Sequence, residues 1–563
     1  ECIRNLNEFT DENRNMVSVN YRSLDVEEFG SVYEGLLDLH PVIEGLHAAG
    51  PRLTKFTFHE GTDRKTTASY YTRPDLVNEI MKSAVIPVVE ERLRQFTTAR
   101  DKANALLGLK VCDPAAGSGH FLLATARTLA WYHARVTSGE ENPAPVVFRA
   151  SLRQVIQHCI YGVDLNPDAV ELCKLALWIE SHDSGKPLSF LDHKIRCGNS
   201  LVGVTDLNAL QKGIPDEAFD PVTGDDRIVA RTLKRENSRF RSFLSGRADT
   251  GFQQQLGFEE DTMAPKYGQS MREVEAISQD SLEAVHKVKQ RFEGMRSDRE
   301  WFRDWQASNL WTAAFFFTYT PETRMAAPAS EHLHKYLKNP SAVYGPVIGR
   351  ADGLSQKHHF FHWPLEFPDV FDHASGNNGF DVMIGNPPWE RIKLQQQEFF
   401  AVREREIANA ANAAARNQMI NNLQHTNPQL YQEYQDALHT ADSTGKFLRN
   451  SGRNDLTAVG DINTYSVFAE LFSSLINHKG KTGFIVPTGI ATDDSNKVFF
   501  GAMVERNRLV SLYDFENREK IFKDVDSRYK FCLLTLQGSD RGKEKASFGF
   551  FLTRVEHLQD KLR

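Results

Sequence analysis

The chain has 563 residues, of which 40% are hydrophobic and 25% charged, a composition typical of soluble globular proteins. This length predicts roughly three or four domain-sized units. No apolar run approaches the ~18 residues of a membrane span, and from the charged first residues we expect no secretory signal. Since the net charge is −7, contact with nucleic acid requires a local basic surface or a further domain.

The cysteine pattern points to a reducing compartment. Six cysteines occur without a CxxC pair, and none is clustered with histidine at the spacing of a zinc site. We therefore expect free thiols in a cytoplasmic protein that has no metal centre and no membrane segment.

Residues 1–60 are predicted to form a helical N-terminal region. Their apolar side chains recur near helical spacing at Val26, Phe29, Val32, Leu36 and Leu39. From residue 61 to 205 the pattern changes to alternating strands and helices, as in "LKVCDPAAGSGHFLLATARTLAWYHARV" and "CIYGVDLNPDAVELCKLALWIESHD". This alternation predicts an α/β fold with a doubly wound, mostly parallel, Rossmann-like sheet that binds ligands at the carboxyl ends of its strands.

Residues 206–355 are polar and helical, and they predict a large helical insertion into this fold. Trp301 and Trp305 lie four residues apart within it, which favours core packing over a ligand site. Strand-like sequence returns over 356–540, the predicted second half of the sheet, with one long helix over 395–424. Residues 541–563 are predicted to begin a C-terminal region or linker, because strand-like sequence stops near "FCLLTLQG".

Two turns predict a nucleoside site. In "VCDPAAGSGHF" (111–121), Gly117 and Gly119 permit a tight turn and the close approach of a ligand to a helix N-terminus. The turn has no phosphate-binding lysine, which argues against a nucleotide triphosphate. Asp164 ends the next strand, where an acidic residue binds ribose hydroxyls; a turn or N-cap role is the alternative. Together the turns predict an adenosine-bearing ligand without a pyrophosphate.

The stretch "DVMIGNPPWERIK" (381–393) predicts a rigid corner after a buried strand. Its two prolines remove backbone donors and fix φ, so an amide side chain, a free carbonyl and an indole are presented together. A proline-rich turn with a structural tryptophan is the alternative.

Five motifs carry a resemblance to a known family: "YYTRPDLV", "DPAAGSGHF", "GVDLNPDAVEL", "GNSLVG" and "IGNPPWE". In this order they resemble the S-adenosylmethionine-dependent adenine-N6 DNA methyltransferases of the gamma arrangement. The chain looks most like the large methylases of type IIG restriction–modification and phage-defence systems. The resemblance implies S-adenosylmethionine as cofactor, no metal, and double-stranded DNA as partner. It also implies other defence-system subunits, such as a nuclease, a helicase or a specificity protein.

The resemblance also implies roles for individual residues. Those implied at the cofactor are Thr72 and Pro74 beside its methionine part, Asp113, Ala115, Gly117 and Gly119 in the main loop, Asp164 at the ribose and Asn199 at the adenine. Asn199 stands where many relatives have aspartate. The catalytic motif matches in full at Asn386, Pro387, Pro388 and Trp389.

The catalytic corner suits the chemistry of an adenine amine, whose lone pair is delocalised into the ring. The side-chain oxygen of Asn386 and the carbonyl of Pro387 can accept its two hydrogens and aim the lone pair at the methyl group. Trp389 can stack on a base that has been flipped out of the duplex. A methyltransferase acting on RNA or on a protein amide nitrogen, and a catalytically idle scaffold subunit, are the alternative functions.

Four arginines predict a DNA contact in the insertion. Arg227, Arg231, Arg235 and Arg239 share one face of a helix, where they either contact phosphates or form a solvated surface. Phosphate contacts carry no sequence information, so we expect base recognition from a C-terminal domain or a partner subunit.

Overall fold

The computed structural model describes residues 8–10, 16–18, 39–44, 55–60, 72–248, 265–372, 377–523, 525–542 and 545–559. Its centre is a sheet of eight strands. They are β1 (Val111–Asp113), β2 (Ile160–Asp164), β3 (Ile195–Cys197), β4 (Phe380–Gly385), β5 (Ile476–Pro487), β6 (Leu509–Glu516), β7 (Lys530–Gln537) and β8 (Ser547–Leu552). The strand order is β3-β2-β1-β4-β5-β7-β6-β8.

The sheet is mostly parallel, and its strand order reverses at the centre. Only β7 is antiparallel to its neighbours β5 and β6. The chain winds outward from β1 to β3 on one side, then returns to the centre at β4 and winds outward on the other. The carboxyl ends of β1 and β4 therefore meet where a doubly wound fold binds its ligands. The predicted Rossmann-like fold is confirmed.

Helices surround this sheet. They are α1 (Pro74–Ile80), α2 (Ile86–Arg94), α3 (Ala99–Leu107), α4 (His120–Ser138), α5 (Pro145–His158), α6 (Pro167–Glu180), α7 (Asn208–Gln211), α8 (Arg227–Ala248), α9 (Pro265–Glu275), α10 (Leu282–Arg296), α11 (Arg299–Ala313), α12 (Ser330–Lys338), α13 (Gly345–His358), α14 (Trp363–Glu366), α15 (Gln396–Ala401), α16 (Arg405–Ala408), α17 (Ala413–Thr426), α18 (Pro428–Asn450), α19 (Thr464–Leu475), α20 (Gly489–Thr492) and α21 (Lys497–Glu505). A π-helical turn, Met81–Val85, joins α1 to α2. None of the described helices is long and apolar enough to cross a bilayer.

Two apolar cores lie on opposite faces of the sheet, because alternate residues of a strand point to opposite sides. Val382 and Ile384 of β4 pack with helices α1, α2, α4, α5 and α6. Met383 packs on the other face with residues of the predicted insertion and of α18 and α19. The described residues of 206–355 are mostly helical, and they form part of the layer that covers this second face.

The tryptophan pair of the insertion confirms its predicted packing role. The rings of Trp301 and Trp305 stack with centroids 6.4 Å apart. Trp301 is buried in the core, and its indole N–H donates to the carbonyl of Leu365 at 3.2 Å.

The prediction of a helical N-terminal region is wrong for the described residues of 1–60. These form two antiparallel pairs of strands, Glu8–Thr10 with Met16–Ser18 and Leu39–Glu44 with Lys55–Glu60. Within the second pair, Pro41 lacks the N–H that a helix interior needs, and Val42 and Ile43 are β-branched. The apolar positions at 26–36 lie outside the described residues.

The single helix expected over 395–424 is instead three helices, α15, α16 and α17. The chain bends between them because Phe400, Ile407 and Ile420 bury one another in a small separate core. Asn412 then starts α17, since its side-chain oxygen accepts the N–H of Ala415 at 2.9 Å.

The sheet also extends beyond the predicted boundary at residue 540. Strand β8 pairs in parallel with β6, with Ser511 opposite Ser547. The sequence of β8 is rich in phenylalanine, which favours a strand, and the edge of β6 supplies the backbone partners it needs. Part of the stretch expected to be a linker therefore belongs to the sheet.

Candidate functional site

The glycine turn predicted at 113–119 follows β1 directly and is closed by hydrogen bonds of two aspartates. The buried Asp113 accepts the N–H of Ala115 at 2.9 Å, and Asp164 accepts the N–H of Gly117 at 2.8 Å. Burial raises the pKa of Asp113 to about 8, while the hydrogen bond from Ala115 opposes this rise.

Backbone geometry explains both glycines of the turn. Gly117 has φ of 52° and Gly119 has φ of 91°, a region that side chains disfavour. At Gly119 a Cβ atom would also lie only 2.7 Å from Sγ of Cys173. Gly119 immediately precedes α4, so the turn leaves the free N–H groups of a 19-residue helix beside the carboxyl end of β1.

Asp164 ends β2 and joins two turns. One carboxylate oxygen accepts from Gly117, and the other accepts the N–H of Asn166 at 2.9 Å. The N-cap of α6 is Asn166 rather than Asp164, which excludes the N-cap alternative for Asp164. Burial raises the pKa of Asp164, while the hydrogen bonds from the backbone oppose this rise. The carboxylate remains half-buried at the sheet edge, beside the glycine turn.

Asn199 lies in the loop after β3, next to these turns. Its side-chain oxygen accepts the N–H of Leu201 at 3.1 Å, and its own N–H donates to the carbonyl of His359 at 2.7 Å. The following Ser200 donates to the carbonyl of Pro114 at 2.6 Å, which ties this loop to the glycine turn. The structure thus brings the loops of β1, β2 and β3 together.

The Asn-Pro-Pro-Trp corner begins where β4 ends, against the glycine turn. A Cβ atom at Gly385 would lie 2.6 Å from Oδ1 of Asp113, so only glycine allows this approach. Thr72 does not cap α1, whose N-cap is Arg73. Instead, the buried Thr72 accepts a hydrogen bond from the side-chain amide of Asn386 at 3.1 Å. Pro74 is the exposed first residue of α1.

Two acceptors at the corner have no hydrogen-bond partner in the described part of the chain. One is Oδ1 of Asn386, which is buried. The other is the carbonyl of Pro387, to which no described donor is bonded. A buried acceptor without a partner costs about 1–3 kcal/mol, so Oδ1 of Asn386 is available to a donor that binds at this corner.

Thr464 holds the backbone on both sides of Trp389, a contact that the sequence did not predict. Its hydroxyl donates to the carbonyl of Pro388 at 2.7 Å and accepts the N–H of Glu390 at 2.9 Å. Its own N–H donates to the carbonyl of Glu390 at 2.8 Å. The sequence offered no signal for this role, because a single threonine at a helix start is common.

Trp389 belongs to an aromatic cluster. Its indole N–H donates to the carbonyl of Ile485 at 3.3 Å. Its ring is parallel to that of Tyr529, with centroids 5.9 Å apart, and meets the edge of Phe522 at 5.3 Å. Tyr529 and Phe522 were not predicted site residues.

The four arginines of the insertion are not part of the site formed by the glycine turn, Asp164, Asn199 and the Asn-Pro-Pro-Trp corner. Arg227, Arg231, Arg235 and Arg239 are exposed on α8, as their spacing predicted. Within the described residues none of them forms an ion pair with a carboxylate. No group of three or more histidine, cysteine, aspartate or glutamate side chains in the described residues could bind a metal ion.

Comparison with protein families identifies this arrangement. The model described as Eco57I restriction-modification methylase matches residues 158–522, more than half of the chain. The chain belongs to the Eco57I restriction-modification methylase family. A second model, the DNA-methyltransferase domain of MmeI, matches residues 90–200 and includes the glycine turn of this methylase. The resemblance read from the motifs is confirmed at the level of the restriction–modification methylases.

Individual relatives are more distant. A protein of Methanocaldococcus jannaschii, named as a type II restriction enzyme and methyltransferase, is 24% identical over 370 residues. The match covers 58% of this methylase but only 28% of that relative. The match to the structure of MmeI bound to DNA covers 95% of this methylase and 43% of MmeI, with 10% identity and a TM-score of 0.38. The match to the DrdV–DNA complex covers 96% of this methylase and 32% of that chain, with 11% identity and a TM-score of 0.37.

The packing of the glycine turn makes a prediction about stability. Gly117→Ala and Gly119→Ala each force alanine into a left-handed conformation, which costs roughly 1–2 kcal/mol. Only Gly119→Ala also meets Sγ of Cys173, so it should lower the midpoint of thermal unfolding further. Adding Cys173→Ala should restore part of that loss. Equal midpoints for the two single variants would contradict this account of the turn.

Proposed function

We propose that the protein transfers a methyl group from S-adenosylmethionine to the N6 amine of a flipped-out adenine in double-stranded DNA. The observation that carries this proposal is the pair of unpartnered acceptors, Oδ1 of Asn386 and the carbonyl of Pro387. They are adjacent in the chain at the carboxyl end of β4, beside the glycine turn. Membership of the restriction–modification methylases supports the same chemistry.

The two acceptors match the two hydrogens of an exocyclic amine. When both are accepted, the nitrogen shifts toward tetrahedral geometry, and its lone pair leaves the ring and points at the methyl donor. The two acceptors are already oriented before the substrate binds, because the prolines fix the backbone and Thr72 fixes the amide of Asn386. Thr464 fixes the backbone after the prolines in the same way.

The cofactor is proposed to lie across the loops of β1, β2 and β3. The glycine turn would accommodate its methionine part together with Thr72 and Pro74, and Asp164 would accept hydrogen bonds from the ribose. Asn199 would contact the adenine ring. The half-buried Asp164 is favourably placed for this role, because it ends β2 beside the glycine turn and its carboxylate is still partly exposed.

Trp389 is proposed to stack on the flipped base. Base–aromatic stacking is worth ~1–3 kcal/mol per base, which offsets part of the cost of extruding the adenine. The aromatic cluster and the hydrogen bond to Ile485 fix the indole plane before the base arrives. We further propose that this activity serves a restriction–modification or phage-defence system.

Removing the acceptor of Asn386 should stop the reaction without affecting the cofactor. We expect Asn386→Ala to lower methyl transfer at least ~10²-fold, the scale of a lost preorganised donor or acceptor. Thr72→Ser, which keeps a hydroxyl for the amide, should retain most activity. The measurement is transfer from labelled S-adenosylmethionine to unmodified DNA, RNA and a protein extract, with the methylated base identified by nucleoside analysis. Near-normal turnover by Asn386→Ala, or methylation of RNA or protein instead of DNA, would overturn the proposal.

Removing Asp164 should act on the cofactor instead. Asp164→Ala deletes the ribose acceptor and should weaken S-adenosylmethionine binding by ~1–3 kcal/mol, measured by calorimetry. Asp168→Ala is the matched control, because Asp168 is exposed in the first turn of the helix that follows. If both variants bind the cofactor like the wild type, the ribose assignment is wrong.

The arginine face of α8 is proposed to contact DNA phosphates. Reversal of all four charges to glutamate should reduce DNA affinity and flatten its dependence on salt concentration, because fewer counterions are released. Circular dichroism should show that helix content is kept. An unchanged salt slope would mean that this face is only a solvated surface.

A further inference from the structure

A cleft of about 490 Å³ opens next to the chain segment that follows the catalytic corner. One wall is the segment 391–394, which begins two residues after Trp389. The opposite wall is α18, which presents small side chains such as Ala437, Thr440 and Ala441. Lys357, near the C-terminal end of α13, lies at the same cleft. Its volume is in the range of small-molecule sites.

The cleft carries a positive charge. Arg391, Lys393 and Lys357 are exposed, and among the lining residues only Asp436 is acidic. Asp436 already accepts a hydrogen bond from the side chain of Gln432 at 2.9 Å. Arg391 lies 4.0 Å from Asp461, but both side chains are more than 60% exposed, so water and salt screen this pair strongly. The cations therefore remain available to an anion.

The basic wall is fixed to the catalytic corner. Ile392 donates its N–H to the carbonyl of Ile462 at 2.9 Å, and Arg391 pairs with Asn463 in a short antiparallel bridge. Both contacts continue the backbone pairing that begins with Thr464 at Glu390. The segment turns at Ile392 and Lys393, and Arg391, Ile392 and Lys393 all line the cleft, while Ile392 also packs against the core.

We propose that this cleft binds the phosphodiester backbone of the DNA strand that carries the target base. The inference rests on the proposed function. S-adenosylmethionine carries a net positive charge, so a basic cleft disfavours it and favours a polyanion. Arg391 and Lys393 lie two and four residues after the proposed stacking tryptophan, Trp389. A flipped nucleotide keeps a phosphate on each side, and a basic surface so near in the chain can contact them.

The test is the salt dependence of DNA binding by the whole chain. The triple variant Lys357→Gln, Arg391→Gln, Lys393→Gln removes the three cations without introducing acidic groups. The control triple variant Lys287→Gln, Lys289→Gln, Arg291→Gln removes three exposed cations from α10. Each protein is titrated against a fluorescent mixed-sequence DNA duplex at several salt concentrations, and S-adenosylmethionine affinity is measured in parallel.

We expect the cleft variant to bind DNA more weakly, with a log–log salt slope smaller by about 2 to 3, since each phosphate contact contributes ~0.9. Its S-adenosylmethionine affinity should equal that of the wild type. A wild-type slope in the cleft variant, or an equal decrease in the control, would overturn the proposal. Failure of the proposed function would be detected separately, in the methyl-transfer assay, which identifies the substrate that the wild-type chain methylates.

Discussion

The approach of Gly385 to Asp113 is the constraint on which the site depends. It joins the carboxyl end of β4 to that of β1, and a Cβ atom at position 385 would lie 2.6 Å from the carboxylate. Because the two strands are neighbours at the point where strand order reverses, a glycine turn and a proline corner far apart in sequence share one edge. Without this approach, the proposed cofactor site at the turn and the proposed base site at the corner would not be neighbours.

The Asn-Pro-Pro-Trp corner contains a buried polar atom without a hydrogen-bond partner among the described residues, which a purely structural turn would avoid. Oδ1 of Asn386 is buried and has no described partner, while the amide nitrogen of the same side chain is satisfied by Thr72. Because the side-chain N–H of Asn386 is bonded to Thr72, the amide plane is fixed, and so is the direction in which Oδ1 points. A purely structural proline turn would be more stable if that oxygen had a hydrogen-bond donor. The unpaired oxygen therefore favours a role in ligand binding.

The helical region 206–355 and the helices α18 and α19 give this methylase its second layer. Their apolar side chains cover the sheet face that contains Met383, so the insertion is part of the core. The same layer supplies Thr464, which fixes the backbone around Trp389, and one wall of the basic cleft. The structure therefore uses one set of helices both to complete the core and to shape the surface beside the Asn-Pro-Pro-Trp corner.

The sequence by itself was enough to predict the family, the Rossmann-like sheet, and the residue types that form the glycine turn and the Asn-Pro-Pro-Trp corner. It could do so because glycine, proline and strand-forming residues act over a few neighbouring positions. The tertiary structure decided what depends on distant partners. Leu39–Glu44 is a strand because Lys55–Glu60 pairs with it, and β8 is a strand because β6 has an open edge. Thr464 became a site residue only when the fold brought it to the carbonyl of Pro388. Local residues favour these strands, but the partners of the strands and of Thr464 lie elsewhere in the chain and only the fold brings them together.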